Sequence, residues 1–215
     1  MSEGTDFLYP FIEGGERDAD SLLAELATSA AAKGAVSAQL RSKTLADCDA
    51  TMTTLAHAMA RRFNAGGRLF VFGNGGSATD AAGIVALFRT PPWGRALRAR
   101  SLVADHAVLT ALGNDVGFEL VFSRQLIAYG RDGDMALGLS TSGNSTNLLS
   151  AFAEAGRRGL LTLGLAGYDG GQMGSSPDVE HCLVVSSSSV HRIQETQAAL
   201  AFELWSRVQP LVRGA

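Results

Sequence analysis

Apolar residues recur at helical spacing along the first part of the chain. Leu22, Leu23, Leu26 and Ala30 form one series, and Leu45, Met52, Leu55, Ala56, Met59 and Phe63 form another, in a background rich in Ala, Leu, Lys and Glu. Such spacing predicts two or three helices between residues 18 and 64, the last one ended by Ala65-Gly66-Gly67. Beyond that point short apolar runs alternate with helical stretches. The runs fall at 68–72, 102–103, 134–139, 160–166 and 182–185. The helical stretches fall at about 79–89, 105–112, 118–129, 146–158 and 190–208, with Pro210 limiting the last. Continuous apolar strands alternating with helices predict a parallel sheet covered on both faces, a three-layer αβα fold of the α/β class. Each crossover is expected to be right-handed, and a ligand is expected beyond the carboxyl ends of the strands.

Composition narrows the classes. The chain has 215 residues, 46% of them hydrophobic and 18% charged, with a net charge of −3 and a pI near 5.8. That supports a sizeable core and gives no basic surface of the kind nucleic-acid binding needs. Cys48 and Cys182 lie far apart in sequence and read as reduced, packed thiols. The start of the chain is acidic and polar, unlike a signal peptide, and no apolar run reaches the ~20 residues of a membrane span. A cytoplasmic protein is expected. Residues 1–17 read as an arm whose Phe7, Leu8, Tyr9, Phe11 and Ile12 either pack within the molecule or dock on another subunit or a protein partner. Residues 18–64 read as a helical segment, and 65–210 as the α/β domain.

The loops at the strand ends carry the chemistry. Ser140-Thr141-Ser142-Gly143-Asn144-Ser145 lies between a buried strand and a helix. Its hydroxyls, a glycine that lets the backbone bend closely, and the free N–H groups at the next helix start make an anion site suited to phosphate. Helix capping by Ser and Asn accounts for the same residues in one such loop. Gly73-Asn74-Gly75-Gly76-Ser77 repeats the strand–loop–helix arrangement, and two such turns in one domain point to one shared pocket. Neither loop is a dinucleotide fingerprint or a Walker loop. No lysine follows Lys43, so hydroxyls and amides must hold the anion, which suits a sugar phosphate.

These residues resemble a sugar isomerase (SIS) domain, and within it the phosphoheptose (sedoheptulose 7-phosphate) isomerase family. The resemblance rests on the two loops above together with Gly113-Asn114-Asp115-Val116-Gly117-Phe118-Glu119, Phe122-Ser123-Arg124-Gln125, Gly133-Asp134, Gly167-Tyr168-Asp169-Gly170-Gly171 and Arg192-Ile193-Gln194-Glu195. It implies a five-stranded parallel sheet of the flavodoxin-like kind and a homotetramer with pockets at subunit interfaces. It also implies substrate binding by Asn74, Gly75, Gly76, Asn114, Asp115, Ser140, Thr141, Ser142, Ser145 and Gln194; Ser77 completes the first loop.

The catalytic centre departs from the family pattern. The family moves a proton between neighbouring carbons through an enediol, with a glutamate and a histidine that also hold zinc, helped by a second histidine and a glutamine. The matching positions here are Leu87, Phe202, Gly83 and Gln194. Leucine accepts no proton, and glycine and phenylalanine bind no metal. No metal ligand set and no cofactor are therefore expected. Glu195 and His191 are the candidate replacements for proton transfer; Glu195 is also readable as a first-turn carboxylate near the helix dipole, and His191 as an exposed residue of the serine-rich turn before the last helix. His57, His106 and His181 read as surface or packed residues. Arg95, Arg98 and Arg100 stand in a segment without acids and read as a solvated loop or as a guide for an anion toward the pocket. The resemblance leads to two functions: a sugar-phosphate-binding or regulatory protein without zinc-dependent isomerisation, or an aldose–ketose isomerase with a rearranged site.

Overall fold

The computed structural model describes residues 19–213, so the arm at 1–17 lies outside the described residues. The chain divides into two units, residues 1–39 and 40–215. In the first, the described residues form the beginning of α1 (Ala19–Asp47), with Leu22, Leu23, Leu26 and Val36 exposed. The second opens with the end of α1 and continues into α2 (Asp49–Asn64). Two helices thus fill the stretch where periodicity allowed two or three. Met52, Leu55, Ala56, Met59 and Ala60 are the buried face of α2, and Ala65 and Gly66 close it as expected by donating N–H groups to carbonyls of its last turn.

The rest of the second unit alternates. It runs β1 (Leu69–Gly73), α3 (Gly76–Arg89), β2 (Ala99–Ser101), α4 (His106–Asp115), a 3₁₀ turn at Phe118–Leu120, α5 (Val121–Tyr129), β3 (Met135–Ser140), α6 (Thr146–Arg157), β4 (Leu161–Gly167), α7 (Gly171–Ser175), β5 (His181–Val185) and α8 (Val190–Val208). All strand pairs are parallel, in the order β2-β1-β3-β4-β5. The expected five-stranded αβα fold is present. α2, α3 and α8 pack together as one layer, and α4, α5 and α6 pack together as another. Every residue of β1, β3 and β4 is buried, whereas the edge strands β2 and β5 are only partly so. That is the burial a doubly covered sheet imposes on its inner strands.

Packing explains the glycines within the sheet. Phe72 of β1 is in register with Gly138 of β3. Its ring meets Phe122 at 5.3 Å and Phe152 at 5.4 Å. A methyl group at Gly138 would lie 2.6 Å from the Phe152 ring and 2.9 Å from that of Phe72, so the missing side chain makes room for the two aromatics.

Three boundaries differ from expectation. The second strand lies at Ala99–Ser101, before the apolar pair Leu102-Val103. As an edge strand it carries the exposed Arg100, whose guanidinium sits 3.8 Å over the Tyr129 ring, and the apolar signal belongs to the buried turn after it. α3 starts at Gly76, which makes Gly76 and Ser77 its first turn. The stretch 118–129 is broken by a 3₁₀ turn after Gly117, which has φ +104°. α7 had no periodic signal, because its five residues include two glycines. Among the described residues no helix is long and apolar enough to cross a membrane.

Candidate functional site at the carboxyl ends of the strands

β3 delivers Ser140 to the carboxyl edge, and the loop to α6 folds back over it. The Ser140 hydroxyl lies 3.4 Å from that of Ser142 and 3.2 Å from that of Ser145, and it accepts the Gly143 N–H at 3.1 Å. Ser145 occupies the N-cap position of α6, yet its side chain makes no capping bond. Its hydroxyl faces Ser140 instead. Capping therefore does not account for this serine, and three hydroxyls converge at the positive end of a helix.

Neighbouring backbone braces the loop. Gly143 has φ +66°, and a side chain there would run into the Gly170 carbonyl. Met173 donates its N–H to the Gly143 carbonyl at 2.9 Å, and Gln172 donates its own to Asn144 Oδ1 at 3.0 Å. The start of α7 thus grips the serine loop from the β4 side. Tyr168, at φ +52°, is the one non-glycine residue in the left-handed region among the described residues.

The first loop is joined to the second by an amide pair. Asn74 Nδ2 donates to Asn147 Oδ1 and Asn147 Nδ2 donates to Asn74 Oδ1, both at 2.9 Å. Asn147 is buried. Gly75 then takes φ +55° and ψ −125°, a conformation open to glycine alone, to start α3. At Gly76 the space a side chain would occupy is filled by the Gln194 amide. Gln194 Nε2 reaches Asp80 Oδ2 at 3.3 Å. Burial pushes the Asp80 carboxyl above the usual carboxylate range, and the Gln194 bond works against that rise.

The structure thus brings Asn74, Gly75, Gly76 and Gln194 together on one side, and Ser140, Thr141, Ser142 and Ser145 on the other, with Ser77 buried in the first turn of α3. Asn114 and Asp115 end α4 exposed and bond to each other at 2.8 Å. A cleft of about 450 Å³ opens beside Asn74 and Gly75, walled by Val103, Leu109, Phe118 and Phe122. Sequence reasoning missed Asn147, which read as a helix-start residue. It also missed Asp80, whose signal was its position four residues, one helical turn, after Gly76.

Comparisons with known proteins identify the family. Residues 34–167 match the SIS domain family. The chain is 37% identical over 180 residues to the phosphoheptose isomerase of Chlorobium phaeovibrioides, covering 82% of this chain and 84% of that one. It is 47% identical over 153 residues to that of Pelobacter propionicus, covering 69% and 79%. This chain belongs to the SIS domain family. Among solved structures, the Neisseria gonorrhoeae phosphoheptose isomerase superposes with a TM-score of 0.78 at 33% identity, over 86% of this chain and 99% of its own. The Francisella tularensis enzyme gives 0.79 at 28% identity, over 85% and 97%.

At the positions that the resemblance matches to the family's acid, base and metal ligands, this chain carries Gly83, Leu87 and Phe202. Gly83 is exposed on α3, and Leu87 packs against the core. Phe202 is half exposed on α8, its ring 5.2 Å from Trp205, which in turn meets Trp93 at 4.6 Å. The surface where the resemblance places metal ligands is apolar and aromatic. Gln194 with Asp80 supplies two oxygen donors there, fewer than zinc requires, and among the described residues no group of three or more His, Cys, Asp or Glu is placed to hold a metal ion. His191 and Glu195 are exposed in the first turns of α8, and neither side chain makes a hydrogen bond to another described residue.

The reading of the arginine segment as a guide toward this pocket does not survive. The Arg98 backbone carbonyl accepts the Leu69 N–H at the amino end of β1, and Arg95 and Arg98 line a cleft with Gly66 and Gly67. Parallel strands put that end of the sheet on the side away from the loops.

Proposed function

We propose that this chain binds a sugar phosphate, its phosphate in the 140–145 loop and its sugar toward Gly75, Gly76 and Gln194, without zinc-dependent isomerisation. The observation that carries the reading is the Ser145 hydroxyl, turned from its capping position onto Ser140 beside Ser142. These hydroxyls donate to phosphate oxygens, and the α6 dipole favours the negative charge. Isomerisation through an enediol needs a base and an acid at the sugar's first two carbons. Leu87 and Phe202 supply neither, and the donor set around Gln194 does not fit a zinc ion. The protein is read as cytoplasmic and as a homo-oligomer, a tetramer by resemblance, with the exposed Leu22, Leu23, Leu26 and Val36 of α1 as supporting surface.

The names of the relatives favour a second reading. Phosphoheptose isomerases at 37% and 47% identity point to an active aldose–ketose isomerase in which Glu195 or His191 transfers the proton. Calorimetry with sedoheptulose 7-phosphate, followed by deuterium exchange from solvent into the bound sugar, separates the two. Binding without exchange is the expected result. Exchange that disappears in Glu195→Gln or His191→Ala establishes the second reading, and absence of binding removes both.

A further inference from the structure

We infer that the amino end of the sheet carries a second anion site, built from Arg95, Arg98 and Arg213, for a small molecule bearing two or more phosphate groups. The site is independent of the sugar-phosphate reading. A cleft of about 480 Å³ lies there, with Phe63, Leu97 and Val212 as its apolar wall, a size in the range of small-molecule sites. β1 is five residues long, which at ~3.3 Å per residue separates this end from the serine loop by roughly 15 Å or more.

The arginine-bearing segments are held in place. Gln209, itself buried, accepts the Arg95 N–H at 2.7 Å and donates to the Arg95 carbonyl at 3.2 Å. Gly94, at φ +80°, leaves no room for a side chain against that same amide. Asn64 clamps the other rim: it accepts the Arg213 N–H at 2.8 Å and donates to the Leu211 carbonyl at 3.2 Å. Two reciprocal amide clamps thus fix two separate pieces of chain on opposite sides of one concavity.

Their charges are left unspent. Among the described residues no carboxylate lines the cleft. Among the described residues the guanidinium groups of Arg98 and Arg213 have no hydrogen-bond or ion-pair partner, and that of Arg95 donates to the Arg213 carbonyl alone. The neighbouring Asp134 is already taken by Arg68 at 2.7 Å. Three planar cations around one hollow match the several oxygens of a pyrophosphate group, which guanidinium forks bind in pairs.

Inorganic pyrophosphate is the probe, titrated calorimetrically at low salt into the full chain and into the double variants Arg98→Ala/Arg213→Ala and Ser140→Ala/Ser145→Ala. The expected result is a site that persists in the serine variant and weakens tenfold or more in the arginine variant, with circular dichroism unchanged because both arginines are exposed. The arginine variant is expected to keep any sugar-phosphate binding of the wild-type chain. Pyrophosphate binding that survives the arginine variant, that is lost in the serine variant, or that is undetectable in the folded wild-type chain overturns the inference.

Discussion

At the scale of single residues, the two thiols are packed groups. Cys48 is buried and Cys182 partly so, with no disulfide. Burial pushes the Cys182 thiol up to about 11, helped by the nearby Cys48, while Cys48 is itself raised by burial. An unfolded thiol ionises near 9. Between those values the unfolded chain gives up a proton that the folded chain keeps, so stability is intact below about pH 9 and falls as pH rises through the window. Urea melts at pH 8 and pH 10.5 are expected to show a loss of roughly 1–3 kcal/mol from this group, and Cys182→Ala is expected to flatten that slope. Other residue roles could not be read from the chain. Asn147 and Asp80 are ordinary residues near helix starts in sequence, and their partners Asn74 and Gln194 lie 73 and 114 positions away.

At the scale of elements, the site depends on loops from different strands holding one another. The Asn74–Asn147 pair couples the β1–α3 turn to α6. Asn147→Leu keeps the approximate shape but leaves the half-buried Asn74 amide without its partner, which is expected to cost about 1 kcal/mol in denaturant melts. Sugar-phosphate affinity, measured by calorimetry, is expected to fall about tenfold or more with it, because Asn74 is then free to turn away from the pocket. Asn147→Asp keeps one bond of the pair and is expected to lose less of both. The elements themselves were largely legible, since the inner strands are mostly apolar runs and helices such as α2 and α8 keep a clear apolar face. The edge strand was misplaced because it buries one face at most and its apolar neighbours lie in the turn beyond it.

At the scale of the whole molecule, α1 presents Leu22, Leu23 and Leu26 to solvent, exposed by 40%, 63% and 56%. Apolar side chains clustered this way are expected to be covered by another copy of the chain. Light scattering is expected to give a tetramer for the wild-type protein and a smaller species for Leu22→Glu/Leu26→Glu. A monomeric wild type removes the oligomer from the proposal. The arginine segment shows the other side of this scale: its charge was visible in sequence, but its position was not. The direction of a parallel strand decides which end of the sheet a neighbouring residue reaches, and here it places Arg95 and Arg98 away from the serine loop.

Fold class, the two glycine- and serine-rich loops, and the side chains at positions 83, 87 and 202, which carry no acid, base or metal donor, were readable along the chain. Each of these follows from local properties: apolar periodicity, backbone freedom at glycine, and the chemistry a side chain has or lacks. Only the folded arrangement decided that Ser145 turns toward Ser140 rather than capping its helix, that Asn147 and Asp80 pair with Asn74 and Gln194, and that the arginines share a cleft at the opposite end. Those facts are contacts between residues far apart in the chain. A contact of that kind is fixed by strand order and register, which no local pattern of residues encodes.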